Sequence, residues 1–277
     1  MRTFLRKTFA KQLYGRAYSR AYLQNLLLIW QELKVLMTQF FTWRAPFQAL
    51  LHIGKNLSLT LNRFYTGRAV FQSYGHTGED RIIESLLNKP HTDVGFYVDV
   101  GANHPSFISN TFLLYRRGWR GICIEANPRL VNLHKKKRPK DIVVQAVVSD
   151  KIEEVTFTTF TNDVLSTVDE THMAEALQQP AQQIQHQQIH TSQLLIDLLD
   201  KNDCPQTFDL LCIDIEGKDL AVVESFDFTR YQPRLLVFEA EGLSIEFFLT
   251  HQLYYKLAEH KYHFAGAALK NFYFIKK

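Results

Sequence analysis

The sequence predicts an α/β protein whose doubly wound, mostly parallel sheet ends in an antiparallel hairpin. Two observations lead to this prediction. An apolar run ends on Asp99 and is followed by the small turn residues Gly101 and Ala102, and a second apolar run ends on Glu125. After them, apolar runs of strand length alternate with amphipathic segments of helix length, which is typical of helices packed on both faces of a parallel sheet.

The first half of the predicted domain alternates between helix and strand patterns. Apolar residues three and four apart indicate a helix within 78–88, and Gly118 ends a later helix pattern. The predicted elements here are a helix within 78–88, strand 96–100, helix 107–117, strand 121–125, a helix from Asn127-Pro128 to the basic run at 135–138, and strand 142–147.

The second half contains the closing hairpin. Alternating apolar residues over 152–160 indicate an extra edge strand, and the polar, glutamine-rich segment 162–190 is interpreted as a mobile loop that ends in a strand near 185–190. The remaining predicted elements are helix 191–201, strand 208–214, helix 218–225, strand 234–239, helix 245–259 and a hairpin of strands 261–266 and 271–276.

The charge distribution divides the chain into two parts. Residues 1–75 contain 11 Lys and Arg and a single acid, Glu32, for a net charge of +10. Residues 76–277 contain 21 Lys and Arg against 27 Asp and Glu, for a net charge of −6. We therefore predict a basic helical N-terminal extension over 1–71 and an α/β domain over 72–277.

The extension contains an amphipathic helix pattern. Apolar residues recur at helical spacing between Tyr22 and Phe40, but polar residues interrupt them too often for a membrane span. Two uses fit residues 1–45: peripheral contact with an anionic membrane, or packing on the domain or on a second subunit of a homodimer.

The sequence has no signal-peptide core, and its three cysteines lack paired spacing. A cytoplasmic location is expected, with peripheral contact at the inner face of a membrane.

The turn after the first strand favours one class of ligand. It lacks the second and third glycines that let a backbone approach the pyrophosphate of a dinucleotide, which disfavours a nicotinamide dehydrogenase. S-adenosyl-L-methionine (SAM) has no pyrophosphate. Asp99 could receive the ammonium of its amino-acid tail and Glu125 its ribose hydroxyls, with Gly101 and Ala102 letting the backbone approach. The alternative is that both acids only cap strand ends.

Seven short blocks, in order, make a family resemblance specific. They are GED at 78–80, YVDVGANHP at 97–105, SNT at 109–111, GWRG at 118–121, EANP at 125–128, RPKD at 138–141 and IDIEG at 213–217. Over residues 72–277 the chain resembles the FkbM-type SAM-dependent methyltransferases. The resemblance implies a Rossmann-like class I methyltransferase sheet. It also implies methyl transfer from SAM to an oxygen, most often of a sugar in a glycan, glycolipid or related metabolite, as in polysaccharide biosynthesis.

The strand ends and the matching blocks give the predicted site. The cofactor-binding residues are Glu79, Asp99, Gly101, Ala102, Asn103, Thr111, Glu125, Ala126, Asn127 and Ser149. The predicted catalytic residues are Asp214, Glu216 and Glu239, with His104 and His172 as weaker candidates. A sugar hydroxyl is a weak acid, so these carboxylates are expected to act as a general base or to hold a divalent metal. The alternative for Glu216 is that it is an acid at a helix N-terminus, where it interacts favourably with the helix dipole.

Three further interpretations complete the prediction. Ser166-Thr167 lies in the long polar segment and is either a substrate contact or part of a solvated insertion. The basic run Lys135–Arg138 has no interleaved aromatic residues and is interpreted as a solvated helix end, so no nucleic-acid partner is expected. The competing function is a non-catalytic Rossmann-like binding module that docks to a membrane or partner through the basic N-terminal helix.

Overall fold

The computed structural model describes residues 72–90, 93–161, 165–179, 182–240 and 242–277. The predicted extension over 1–71 lies outside the described residues, so its amphipathic helix and its membrane or dimer contacts stay predictions. Residues from Ser73 onward form a compact unit. In the described part of the chain, no helix is long and apolar enough to cross a membrane.

The described residues fold into alternating helices and strands, as the hydrophobic pattern predicts. In chain order the elements are α1 (Glu79–Leu87), β1 (Phe96–Val100), α2 (Phe112–Arg116), β2 (Arg120–Glu125), α3 (Pro128–Lys137), β3 (Ile142–Gln145), β4 (Glu154–Phe160), α4 (Glu170–Gln178), β5 (Ile184–Thr191), α5 (Leu195–Lys201), β6 (Thr207–Ile213), α6 (Asp219–Ser225), β7 (Gln232–Glu239), α7 (Ile245–Phe248), α8 (Gln252–Glu259), β8 (Tyr262–Ala268) and β9 (Asn271–Lys276).

Seven strands form the main sheet in the order β3-β2-β1-β6-β7-β9-β8. The pairs from β3 to β7 are parallel, while β9 is antiparallel to both β7 and β8. The predicted fold class, a mostly parallel Rossmann-like sheet with a C-terminal antiparallel hairpin, is confirmed. The chain leaves β1 towards β2 on one side and returns to β6 on the other, so a crevice opens between the carboxyl ends of β1 and β6.

Successive residues of the central strands alternate between two apolar cores, one on each face of the sheet. Val98 of β1 packs in the larger core with Ile122. Tyr97 packs in the smaller core with Cys123 and Cys212. Both cysteines are buried free thiols, as the apolar runs around them indicate. Because both faces of these strands are buried, each strand is almost continuously apolar until it reaches its polar carboxyl end.

The segment 152–191 differs most from the prediction. The strand over 152–160 is not an edge of the main sheet, because β4 pairs with β5 in a separate two-stranded antiparallel sheet. Within 162–190, predicted as a mobile loop, the structure places helix α4. The Asp169 carboxylate accepts hydrogen bonds from the amides of Thr171 and His172 and thereby caps this helix.

Three predicted helices are shorter or divided in the structure, and the one predicted over 191–201 begins only at Leu195, since β5 runs to Thr191. The helix predicted over 107–117 is reduced to α2, since the chain before it turns at Asn103 and Ile108, which both have positive φ angles. The helix predicted over 245–259 is divided into α7 and α8. The His251 imidazole accepts a hydrogen bond from the Leu253 amide, which caps the start of α8 and separates it from α7.

The basic run at the end of α3 needs one correction. Lys135, Lys136 and Lys137 are exposed, as expected for a solvated helix end, but Arg138 has 0% exposure. Its Nε donates to Asp141 Oδ2 at 2.7 Å, an ion pair between two side chains that are both fully buried. The run therefore ends in a structural cation rather than in a fourth solvated charge.

Candidate active site

An open cleft lies at the carboxyl ends of β1, β2 and β6. Its empty volume is about 810 Å³ when the open solvent at its mouth is included. It is lined by eight of the predicted site residues: Asp99, Gly101, Ala102, Asn103, Glu125, Ala126, Asp214 and Glu216. These residues come from three strand ends that are far apart in sequence, and the parallel topology brings them together.

Glycine is required at position 101 because the backbone of Asp214 leaves no room for a side chain there. Its φ angle is +76°, and an added Cβ would fall on the backbone carbonyl oxygen of Asp214 and lie 2.7 Å from the carbonyl carbon. The Gly101 and Ala102 amides both donate to the carbonyl of Ile124, at 3.0 and 3.1 Å. A glycine here therefore lets the first turn of the cleft pack directly against the end of β6.

We expect Gly101→Ala to destabilise the protein by about 3 kcal/mol, because overpacking and a strained φ act together. The loss of stability is measured as the shift in the midpoint of thermal or denaturant unfolding. Gly242→Ala is the matched control, since Gly242 has a φ of +74° but no heavy atom within 4 Å of the added Cβ. Equal losses in the two variants would show that strain alone, and not the contact with Asp214, makes glycine necessary.

Glu125 is buried at the end of β2 with both carboxylate oxygens held. Oε2 accepts from the Asn103 amide at 2.8 Å and Oε1 accepts from the Asn127 amide at 2.7 Å. Burial raises the pKa of Glu125 to about 7, although the backbone amides oppose this shift. Each carboxylate oxygen keeps accepting capacity beyond its one amide, so the group can receive the two hydroxyls of a ribose.

Asp99 faces the same cleft from the end of β1. Its Oδ2 accepts a hydrogen bond from the Thr111 hydroxyl. Burial raises the pKa of Asp99, whereas the guanidinium of Arg138 and the Thr111 hydroxyl lower it. A carboxylate held in this way fits the ammonium of an amino-acid tail.

The wall next to β3 is apolar. Ile124, Ala146, Val147 and Val148 line it, and Phe157 comes from the two-stranded sheet. A flat purine ring fits against such a wall, while Glu125 and Asp99 supply the polar contacts for a ribose and an amino-acid tail. The side chains of this cleft therefore fit the three chemical parts of SAM.

The turn after β6 presents Asp214 and Glu216 to the cleft. The Asp214 amide donates to the Val100 carbonyl at 2.9 Å, which joins the ends of β6 and β1. Asp219 holds the turn itself, because its carboxylate accepts from the amides of Ile215 and Gly217 at 2.8 and 3.1 Å. Glu216 adopts a φ of +56°, a conformation that non-glycine residues use mainly where the surroundings enforce it.

Glu239, at the end of β7, completes a cluster of three acids with Asp214 and Glu216. One carboxylate oxygen from each residue lies within 4.8 Å of the others. Burial, followed by the negative charges of Glu239 and Glu216, raises the pKa of Asp214 well above its ordinary value. Lys270 Nζ lies 3.5 Å from Glu239 Oε1 and balances part of this charge. The predicted catalytic residues are thus neighbours, although Glu239 does not line the cleft itself.

Residues of the two-stranded sheet and of the segment before α4 also line the cleft. Ser166, Thr167 and Val168 line it, which fits the interpretation of Ser166-Thr167 as a contact segment. The Thr167 hydroxyl donates to the backbone carbonyl of Glu216 at 2.7 Å. This bond attaches the inserted segment to the turn that carries the acids. The Ser166 hydroxyl is buried without a hydrogen-bond partner among the described residues.

Six predicted site residues do not line the cleft and instead make the following contacts. Thr111 bonds Asp99, and the Asn127 side chain accepts from the Arg129 amide to cap α3. Ser149 donates to Asp150, while the Glu79 carboxylate accepts from Thr77. His104 accepts from the Ser106 amide, and His172 Nδ1 lies 3.6 Å from Asp169 Oδ1. None of these six predicted residues is among the described residues that line the cleft.

The predicted site residues did not include some of the residues that line the cleft. Ile108 and Asn110 lie in the turn that replaces the predicted helix start, and the Asn110 amide donates to Cys212 Sγ at 3.4 Å. Ala146, Val147 and Val148 directly follow β3, so the rule that parallel strands bind ligands at their carboxyl ends could have found them. In the sequence, Asp219 resembles an ordinary acid at the start of a helix. Only the structure shows that its carboxylate holds the turn after β6.

Comparison with solved structures gives methyltransferases at low sequence identity. The TehB-like SAM-dependent methyltransferase of Corynebacterium glutamicum is 13% identical, with 82% of this chain and 99% of that chain covered and a TM-score of 0.35. The METTL16 methyltransferase domain is 13% identical, covering 80% and 78%, with a TM-score of 0.41. A precorrin-6y C5,15-methyltransferase of Geobacter metallireducens is 14% identical, covering 75% and 91%, with a TM-score of 0.37. No curated protein matches the chain.

Comparison with protein families gives one match that covers more than half of the chain. The model of the methyltransferase FkbM domain matches residues 99–264. This range begins at Asp99 and includes the acids at the ends of β2, β6 and β7. The cleft described above therefore belongs to a SAM-dependent methyltransferase, and the chain is a member of the FkbM methyltransferase family.

Proposed function

We propose that this protein is a SAM-dependent O-methyltransferase whose acceptor is a sugar hydroxyl in a glycan, a glycolipid or a related metabolite. The observation that supports the proposal is the cluster of Asp214, Glu216 and Glu239, whose carboxylate oxygens lie within 4.8 Å of one another beside the cofactor cleft. Carboxylates are the side chains that most suitably accept hydrogen bonds from the hydroxyls of a sugar, and one of them can also accept the proton that the reacting hydroxyl loses.

The chain's own residues would contribute alignment and proton acceptance. SAM, when bound, supplies a methyl group made electrophilic by the sulfonium. Asp99 and Glu125 hold the two ends of the cofactor, and this fixed position contributes to alignment, which can supply ~7–11 kcal/mol of rate enhancement. Asp214 lines the cleft, and in this proposal it accepts the hydroxyl proton as the acceptor oxygen attacks the methyl group. Its raised pKa makes it a stronger base than an ordinary aspartate.

The acceptor side of the cleft is suited to a neutral, hydroxyl-rich molecule. Ser166 and Thr167 contribute hydroxyl groups, and they line the same cleft as the carboxylates of Asp214 and Glu216. Hydroxyls and carboxylates exchange hydrogen bonds with the hydroxyls of a polar ligand. The three acids disfavour a phosphate-rich acceptor, because like charges repel at short distance. This supports a saccharide rather than a nucleic acid as the acceptor.

The test begins with calorimetric titration of the purified protein with SAM and with S-adenosylhomocysteine. We expect micromolar dissociation constants for both. Glycans and simple methyl glycosides are then screened as acceptors by transfer of a labelled methyl group, with RNA as the comparison. Binding without transfer to any hydroxyl would contradict O-methylation. A folded protein that binds neither ligand would favour the alternative of a non-catalytic module, whose docking would be sought in residues 1–71.

A divalent cation is the second candidate role of the acid cluster. Three oxygens from Asp214, Glu216 and Glu239 can supply ligands of the kind that Mg²⁺ and Mn²⁺ prefer. If a cation is needed, EDTA should abolish turnover, and added Mg²⁺ or Mn²⁺ should restore it while the dissociation constant for S-adenosylhomocysteine stays constant. If the cluster acts only as a base, turnover should stay within about twofold after the same treatment.

A further inference from the structure

We propose that Arg138 is a positioning residue for the amino-acid tail of SAM, and that it acts through the Thr111 hydroxyl on the Asp99 carboxylate. Arg138 follows α3, Thr111 precedes α2 and Asp99 lies near the end of β1, so the contact joins three elements. Only Asp99 of the three lines the cleft. The inference deepens the proposed function, because it takes SAM as the ligand of this cleft.

The first step is the burial of Arg138. Its side chain has 0% exposure, and burial of a cation is costly unless hydrogen bonds and opposite charge compensate for it. Asp141 compensates from one side at 2.7 Å, and the rings of Tyr97 and Tyr115 lie 5.3 and 5.1 Å from the guanidinium carbon. The fold thus holds a fixed positive charge within hydrogen-bond distance of Thr111, the side chain that bonds Asp99.

The second step is the direction of the hydrogen bonds. A guanidinium carries only donors, so any hydroxyl bonded to it has to accept. Arg138 Nη2 donates to Thr111 Oγ1 at 3.0 Å and to the Tyr97 hydroxyl at 2.6 Å. Each hydroxyl has one proton, which it donates onward. Tyr97 donates to Asp141 at 2.7 Å, and Thr111 donates to Asp99.

The third step is the effect on Asp99. Because Arg138 orients the Thr111 proton, Asp99 Oδ2 has a permanent donor and its carboxylate is held in one rotamer. Burial keeps the pKa of Asp99 above its ordinary value, and the same two groups oppose that effect, so they favour the charged form. A fixed, ionised carboxylate is what an ammonium group requires. An unsupported aspartate at 4% exposure would favour its neutral form.

The experiment compares two ligands that differ in the tail alone. S-adenosylhomocysteine carries the amino-acid tail, whereas 5′-methylthioadenosine keeps the adenosine and lacks that tail. In Thr111→Val, a near-isosteric change that removes the hydroxyl, we expect affinity for S-adenosylhomocysteine to fall about tenfold and affinity for 5′-methylthioadenosine to stay within about twofold. Thr111→Ser, which restores the hydroxyl, should recover most of the lost affinity.

Arg138→Gln should produce the same selective loss, and Thr111→Val tests the inference even where this arginine variant does not fold. In an Asp99→Asn background, Thr111→Val should have no further effect on S-adenosylhomocysteine, since its partner carboxylate is gone. Equal losses of affinity for both ligands, or no loss at all, would overturn the positioning role of Arg138. The proposed function would still be supported, provided that the wild-type protein binds S-adenosylhomocysteine. A wild-type protein that binds neither ligand would overturn the proposed function, and this inference with it.

Discussion

Replacing Glu125 with alanine is expected to weaken the binding of S-adenosylhomocysteine about 100-fold, the largest loss of affinity that the structure predicts for one side chain. The carboxylate is buried, both oxygens are already oriented by backbone amides, and no second acid of β2 can replace it. Titration calorimetry measures the change. Adenosine and 2′,3′-dideoxyadenosine provide an internal check: wild type should discriminate strongly between them, and Glu125→Ala should not.

The same residue gives the expected pH dependence. Burial raises the pKa of Glu125 to about 7, so in the free protein this carboxyl takes up a proton as the pH falls through that value. A protonated carboxyl loses accepting capacity, and affinity should therefore fall below about pH 7 and level off above it.

Glu125→Gln should bind weakly at every pH, because a carboxamide can accept from only one of the two amides. Glu259→Gln, which changes an exposed carboxylate of α8, is the control, with no change expected. Affinity that is the same for wild type at pH 6 and pH 8, about a unit on each side of the pKa, would contradict the ribose assignment.

The second large effect is expected in turnover. Asp214→Asn should lower kcat about 100-fold or more, as loss of a general base does, and should change the dissociation constant for SAM less than about threefold. Its pKa is raised well above the ordinary 3.8, so it is ionised only at pH values above the raised pKa. Wild-type kcat should increase as pH rises through that value, and this dependence should be absent from the asparagine variant.

The neighbouring acids decide how specific the assignment is. Glu216→Gln and Glu239→Gln remove one negative charge each from the surroundings of Asp214, so both should lower its pKa and move the pH dependence to lower values. Parallel losses of SAM affinity and turnover in Asp214→Asn would make this residue a binding group instead of a base. A full loss of turnover in Glu216→Gln alone would transfer the role of base to that residue.

Local sequence patterns predicted the main sheet well because its strands are buried on both faces. Continuous apolar runs such as those around Val98 and Leu211 have few alternative interpretations, and the chain order then leaves few topologies. The two-stranded sheet could not be predicted in the same way. Strand β5 is largely exposed and rich in glutamine, with Ile189 at 74% exposure, so no periodic apolar pattern shows where it pairs.

The site residues also divide into those that a local sequence pattern predicts and those that it does not. Asp99, Glu125 and Asp214 were predictable, because a polar residue that ends an apolar strand lies at the ligand edge of a parallel sheet. Arg138 was misinterpreted, since three solvated lysines precede it and only its partner Asp141, three residues away, distinguishes it. Glu239 and Lys270 meet through the pairing of β7 with β9, which is long-range information that no local motif contains.

The separate pairing of β4 with β5 has a consequence for how this chain tolerates change. In the described residues these strands share no ladder with the main sheet, so insertions or new side chains there leave the register of the cofactor half unchanged. The Thr167 hydroxyl nevertheless bonds the turn that carries Glu216. Changes in the two-stranded sheet are therefore insulated from the strand register of the main sheet, and Thr167 is a contact through which they would reach the turn of Glu216.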